Sequence, residues 1–181
     1  AAAAELASLD KPGVAVLIEA FEKEVIASAA SKAFATVGPS ALDALIVALA
    51  HEKPGVRAAA ADAVGRIGPE ARKAIPHLTR MFQDDDHDAR LHAVRALDAL
   101  GREAVPAVPD LIQVMLDSKQ REPARQWAIM TLVNILPDAR DAVVKALIQA
   151  SRDKGNYGVS SLARQQLRKI DPKAAEAAGI R

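Results

Sequence analysis

No cysteine occurs among the 181 residues, so the chain holds no disulfide, no thiolate metal ligand and no thiol nucleophile. Aromatic residues are scarce: one Trp, one Tyr and three Phe. That leaves few rings on which nucleic-acid bases could stack. No apolar run approaches the roughly 20 residues a membrane-spanning helix needs. Charge of one sign is missing too, since 24 Lys and Arg stand against 23 Asp and Glu. The net +1 exerts no global pull toward nucleic acid or an acidic membrane surface. Strand signals are absent, with no alternating β-branched run and no Asn-Gly hairpin turn. So are the Gly-x-Ser-x-Gly elbow, the phosphate-binding Gly-rich loop and His-Glu-x-x-His. No catalytic, cofactor-binding or metal-ligating residue is therefore expected.

What the chain has is alanine, 40 residues of it, within a composition that is half apolar. Such a chain buries enough surface to fold. Its length suits one domain or a short repeat array. Self-similarity decides between them. Val64-Gly65-Arg66-Ile67-Gly68-Pro69-Glu70-Ala71 returns 33 residues on as Leu97-Asp98-Ala99-Leu100-Gly101-Arg102-Glu103-Ala104. It returns again, at steps of 35, as Leu132 to Ala139 and Leu167 to Ala174. An earlier copy, Phe34 to Ala41, lies 30 residues before the first. Ala30, Ala60, Ala93, Ala128 and Ala163 hold one register; Val37, Ile67, Leu100, Ile135 and Ile170 hold another. A small residue followed by large aliphatics four and seven residues on makes one helical face.

Gly38, Gly68 and Gly101 stand where a helix would end, and Pro39, Pro69, Pro137 and Pro172 where the next would begin. The pattern predicts five antiparallel helix pairs stacked into an all-α, right-handed α-solenoid. First helices are expected near 12–22, 40–51, 70–83, 104–117 and 138–152. Second helices are expected near 24–37, 55–67, 87–100, 122–136 and 157–170. The repeat domain covers 12–170, in units 12–37, 38–67, 68–100, 101–136 and 137–170. Residues 1–11 read as an extension or the remnant of an earlier helix, and 171–181 as a tail or truncated cap helix. The start, Ala-Ala-Ala-Ala-Glu without Met, is what cleavage at a small-residue site would leave. It leaves open a cytoplasmic or an exported, periplasmic location for a soluble chain.

The stretch from Val56 to Ala71 resembles the HEAT-repeat family, and within it the short bacterial form called the PBS-lyase HEAT-like repeat. It follows that form's pattern VR-x-x-A-A-x-A-L-G-x-I-G-P-E-A, and the third and fourth pairs repeat it from Ala89-Arg90 and Ala124-Arg125. The resemblance implies a ladder between repeats, from an Arg early in each second helix to an Asp in the turn between paired helices. Arg57, Arg90 and Arg125 match the Arg position, and Asp84, Asp117 and Asp153 supply the Asp. The ladder departs at Ala27 and at Ser160, so looser register is expected at both ends.

Two chemical alternatives need weighing. His51-Glu52 is one His-Glu pair at the end of a first helix, whereas HEAT-like di-iron hydroxylases use several at the starts of second helices. The run Asp84-Asp85-Asp86-His87-Asp88 would attract a divalent cation, but it lacks the Gly and distal Glu of a calcium loop. It precedes a second helix, where Asp caps free N–H groups.

With Ala60, Val64 and Ile67 facing the core, positions such as Asp62 and Arg66 turn away from it. Carried along the repeats, this gives a surface stripe of Asp62, Arg66, Leu91, His92, Arg95, Gln126, Trp127, Met130, Gln165 and Lys169, with Asp98 and Asn134 beside it. HEAT-like stacks line their concave face with second helices, so the stripe is expected to bind a protein partner. Trp127 is either an inter-repeat packing residue or an interface anchor. The leading expectation is a non-catalytic scaffold. Alternatives are a bilin-lyase-like enzyme subunit acting on a phycobiliprotein, and a nucleic-acid-binding protein; Asp62 and Asp98, interrupting the basic residues, disfavour the last. The repeat ends offer a route to self-association.

Overall fold

The computed structural model describes residues 19–21, 30–32, 34, 37–135 and 140–180. All regular structure among them is helical. Four complete helix pairs follow one another: α1 (Leu42–Ala48) with α2 (Pro54–Ile67), α3 (Ile75–Arg80) with α4 (His87–Leu100), α5 (Val108–Leu116) with α6 (Glu122–Ile135), and α7 (Arg140–Ala150) with α8 (Tyr157–Ile170). A short α9 (Pro172–Ala177) ends the described chain. The proposed extension 1–11 and nearly all of the helices expected at 12–22 and 24–37 lie outside the described residues. From that region Phe21 and Phe34 are buried in an edge-to-face contact at 5.5 Å, and Ser31 donates to the carbonyl of Ala59 at 3.0 Å.

The second helices are each 14 residues long and start at 54, 87, 122 and 157, which reproduces the motif steps of 33, 35 and 35. Their common small position, Ala60, Ala93, Ala128 and Ala163, is fully buried. Gly68 and Gly101 close α2 and α4 at φ 77° and 59°, and Gly38 has φ 71°. Only glycine enters that region without a Cβ penalty.

First helices begin differently from the sequence expectation of continuous α-helix over 70–83 and 104–117. Residues Gly68–Ala74 and Gly101–Ala107 are 3-10 helix, and the α-helix starts only at Ile75 and Val108. The reason lies in the prolines. Pro76, Pro106 and Pro109 each lack the N–H that an i to i−4 bond requires and crowd the carbonyl four residues back, which disfavours continuous α-helix over these turns.

The core runs as one continuous cluster between the two helix layers. Leu45, Leu78 and Leu111 enter it from successive first helices; Leu97, Leu132 and Leu167 enter from successive second helices. Neighbouring second helices pack on one another more extensively than neighbouring first helices do. α2 lies close on α4, where a Cβ placed on Gly65 would lie 3.1 Å from the Ala96 Cα. At the C-terminal end Asp171 caps α9 by accepting from the Ala174 N–H at 3.0 Å. Gly179, at φ 74°, and Ile180 close it with 2.9 Å bonds to the carbonyls of Glu176 and Ala175. That is a Schellman ending.

Candidate functional site

Two sets of side chains were singled out from sequence, and they occupy different places. The ladder residues lie at the turns between paired helices. Arg57 makes a two-pronged pair with Asp84, Nε to Oδ2 at 2.6 Å and Nη2 to Oδ1 at 2.5 Å. Its Nη1 also donates to the carbonyls of His51 and Glu52, both at 2.8 Å. One guanidinium thus ties the turn of one pair to the turn of the next. Arg125, only 3% exposed, pairs with Asp153 and donates from Nε to the Met115 carbonyl at 2.8 Å. The middle rung is different. Arg90 donates to the carbonyls of Asp84 and Asp85, and the Asp117 carboxylate accepts from the Lys119 N–H at 2.9 Å. No Arg90–Asp117 pair forms among the described residues. Where Ser160 vacates the Arg position, Arg164, one turn on, donates to the Ser151 carbonyl at 3.0 Å. Sequence reading missed this substitution, although an Arg one turn beyond a vacated ladder position was the available signal.

These contacts set the charge states. Burial pushes the Asp84 carboxyl up, but hydrogen bonds from Arg57 and the Asp86 N–H, with the charges of Arg57 and Arg90, hold it below its ordinary value. Asp153 is held low first by its bond from Arg125, against a smaller opposing effect of burial. The bond to Asp84 raises Arg57. The rest of the acidic run is used locally: Asp86 caps α4 by accepting from the N–H groups of Asp88 and Ala89, and His87 lies 3.2 Å from Asp88. His51 accepts from the Lys53 N–H at 3.2 Å.

The second set forms a surface. Asp62, Arg66, His92, Arg95, Asp98 and Trp127 line one depression of about 310 Å³ across α2, α4 and α6. Its other lining residues are Gly65, Ala96 and Ala99, which sequence reading did not name. They are small because α2 and α4 nearly touch there. Trp127 is 37% exposed, and the Arg95 guanidinium stands over its ring at 5.3 Å. Arg66 pairs with Asp62 at 2.8 Å, one turn apart on α2. Asn134 reaches from α6 to Asp98 on α4 at 2.8 Å. His92 is half-buried; burial lowers its pKa, the Arg95 charge adds to that, and Asp62 and Asp88 oppose it.

The remaining stripe residues lie away from this depression. Leu91 is half-buried against the core rather than presented to solvent. Met130 is half-buried. Gln126 accompanies Glu122 at 2.7 Å, and both crowd the open side of Gly158 on α8. Gln165 and Lys169 are exposed on α8. Among the described residues no three His, Asp or Glu side chains come together as a metal-binding group. None of the described helices is long and apolar enough to cross a membrane.

Residues 11–98 match the HEAT-repeat family. No curated protein sequence matches the chain. Among solved structures, the crystal structure of an engineered protein superposes with a TM-score of 0.65. That alignment covers 99% of this chain and 85% of the other at 21% identity, a level that speaks to fold alone. Repeat match, register and fold together support a HEAT-repeat protein, an all-α solenoid.

Proposed function

We propose that this chain is a non-catalytic scaffold that docks a protein partner on its second-helix face. The observation that carries the reading is the Arg95–Trp127 pair, exposed in the lining of a depression that three successive repeats build together. Trp and Arg are the residues that most often anchor protein interfaces. Here both stand on helices held by a packed core, so little ordering entropy is lost on docking. HEAT repeats commonly serve protein interaction, which agrees with the proposal. Its repeats are taken to be of the PBS-lyase HEAT-like kind, on the near match of Val56 to Ala71 with that pattern. A depression of about 310 Å³ stands at the low end of small-molecule sites, a better size for side chains than for a tetrapyrrole.

A photo-cross-linking residue at exposed Gln165 on α8, and separately at exposed Lys145 on α7, tests the face. The proposal expects a partner captured from lysate to cross-link from position 165 and not from 145. It also expects capture to weaken in an Arg95→Gln, Trp127→Ala variant. Cross-linking from 145 alone would move the docking surface to the first-helix layer, and full capture by the double variant would move it away from Arg95 and Trp127.

A further inference from the structure

Charge pairing within the depression is uneven. Each of its two carboxylates already has a partner: Asp62 holds Arg66 and Asp98 holds the Asn134 amide. Arg95 stands over the Trp127 ring, and among the described residues no carboxylate pairs with it. A ring face takes none of the strong hydrogen bonds a guanidinium can donate, so its N–H groups can still grip a carboxylate two-pronged. Beside it, Gly65, Ala96 and Ala99 leave room at the α2–α4 crossing with no polar side chain of their own.

We infer that the depression receives an acidic peptide segment, with an Asp or Glu carboxylate on Arg95 and an adjacent apolar side chain over Gly65, Ala96 and Ala99. This rests on the second-helix face being the docking surface and adds the chemistry of what docks there. A basic segment fits less well: it would meet the Arg95 charge, Asp62 is already neutralised by Arg66, and Asp98 alone, held by the neutral Asn134 amide, would be left to receive it. Complementarity also favours a peptide over nucleic acid. A phosphodiester chain carries a charge at every nucleotide and would run past Asp62 and Asp98, whereas a single carboxylate meets only Arg95. With one Trp and few other aromatics, the face also offers no succession of rings for stacked bases.

The chain supplies its own reporter, because Trp127 is its only Trp. Random Trp-free peptides of about twelve residues, displayed on phage, would be selected on the full chain. The strongest would then be synthesised and titrated against Trp127 emission. Selected peptides should be enriched in Asp or Glu next to an apolar residue. Replacing that acid by its amide, or Arg95 by Gln, should each weaken binding about tenfold, and the two changes together should cost little more than one. Arg95→Lys should fall between. Arg95 is exposed, so unchanged circular dichroism melts are expected for both variants.

Selected peptides without acidic enrichment, equal binding by Arg95→Gln, no peptide above background, or tighter binding by oligothymidylate would each overturn the inference. Cross-linking from position 165 alongside any of these results would leave the docking face standing and remove only the acidic segment. Cross-linking from 145 alone would remove both.

Discussion

Arg125→Met removes the most buried charge among the described residues while keeping most of its hydrocarbon bulk. The side chain is 3% exposed, and its guanidinium bonds both the Met115 carbonyl and Asp153. Taking it away orphans the end of α5 and leaves Asp153, whose side chain is 18% exposed, without its counter-charge. Breaking a buried pair by deleting one partner costs about 3–5 kcal/mol. Asp153 keeps some water and the N–H groups of Gly155 and Asn156, which argues for the lower end, about 3 kcal/mol. For a chain of this size each kcal/mol moves the melting temperature by about 2–4 °C, so a drop of about 6–12 °C is expected. Arg57→Met should be similar, because its pair with Asp84 is nearly as buried. Arg90→Met should be milder, about 1–2 kcal/mol, since only carbonyl hydrogen bonds are lost. Urea denaturation of the three variants at pH 7 reads the order directly. A loss below about 1 kcal/mol for Arg125→Met, or equal losses for Arg90 and Arg125, would refute the claim that paired rungs hold neighbouring repeats together.

Four further outcomes are expected. Asp84 and Asp153 have folded-state pKa values below the ordinary 3.8, so the unfolded chain binds more protons. Their stabilisation is complete above that value and is lost as pH falls through the folded values; acid titration by circular dichroism should show Asp84→Asn and Asp153→Asn flattening this loss. His92 is also depressed, from 6.5, so its contribution is full above pH 6.5 and fades as pH drops toward the folded value. Urea midpoints at pH 7.5 and 5.5 should differ less in His92→Gln than in the parent chain. Gly65→Ala and Gly55→Ala separate packing from propensity. Both gain helix propensity, but only position 65 meets a backbone atom, 3.1 Å away at Ala96, so thermal melts should show loss at 65 and a gain of about 0.5 kcal/mol at 55. Gly101→Ala forces a Cβ into φ 59° and should lower stability by about 1 kcal/mol.

How far the sequence could be read follows from the range of the forces involved. Helix ends were readable because local chemistry sets them. Gly at φ 77° and 59° stops α2 and α4, and the four second helices keep the motif's own spacing. The buried alanine position was readable because helix crossings repeat with the sequence. The 3-10 starts of the first helices were in principle readable too, from Pro76, Pro106 and Pro109, but helical periodicity outweighed them. Gathering of the groove residues was less visible. Periodicity places Asp62, Arg66, Arg95 and Trp127 on one face, yet it does not say that α2 and α4 approach closely enough for Gly65 and Ala96 to open a depression. Nor does it separate Leu91, turned to the core, from Arg95, turned to solvent.

The middle rung shows where reading by register fails. Asp84 stands three residues before α4 begins, Asp153 four before α8, and Asp117 five before α6. All three aspartates accept the backbone N–H two residues on, at 2.9, 2.8 and 2.9 Å, so their local turns are alike. What differs is the distance in chain between that turn and the helix that follows. The longer link before α6 admits Gln120, whose amide donates to the Phe82 carbonyl at 3.3 Å, a backbone group of the preceding turn. A neutral amide thus bridges the two repeats there, while flanking bridges are ion pairs. A pairwise motif match sees an Arg and an Asp at the expected positions and misses the intervening residues. Shortening the link by deleting Lys119 and Gln120 should bring Asp117 into the register of Asp84. Arg90 should then gain a carboxylate, and Arg90→Met in that background should become as destabilising as Arg57→Met. Unchanged sensitivity at Arg90 would mean that the tilt of α3 against α5, not loop length, keeps the pair apart.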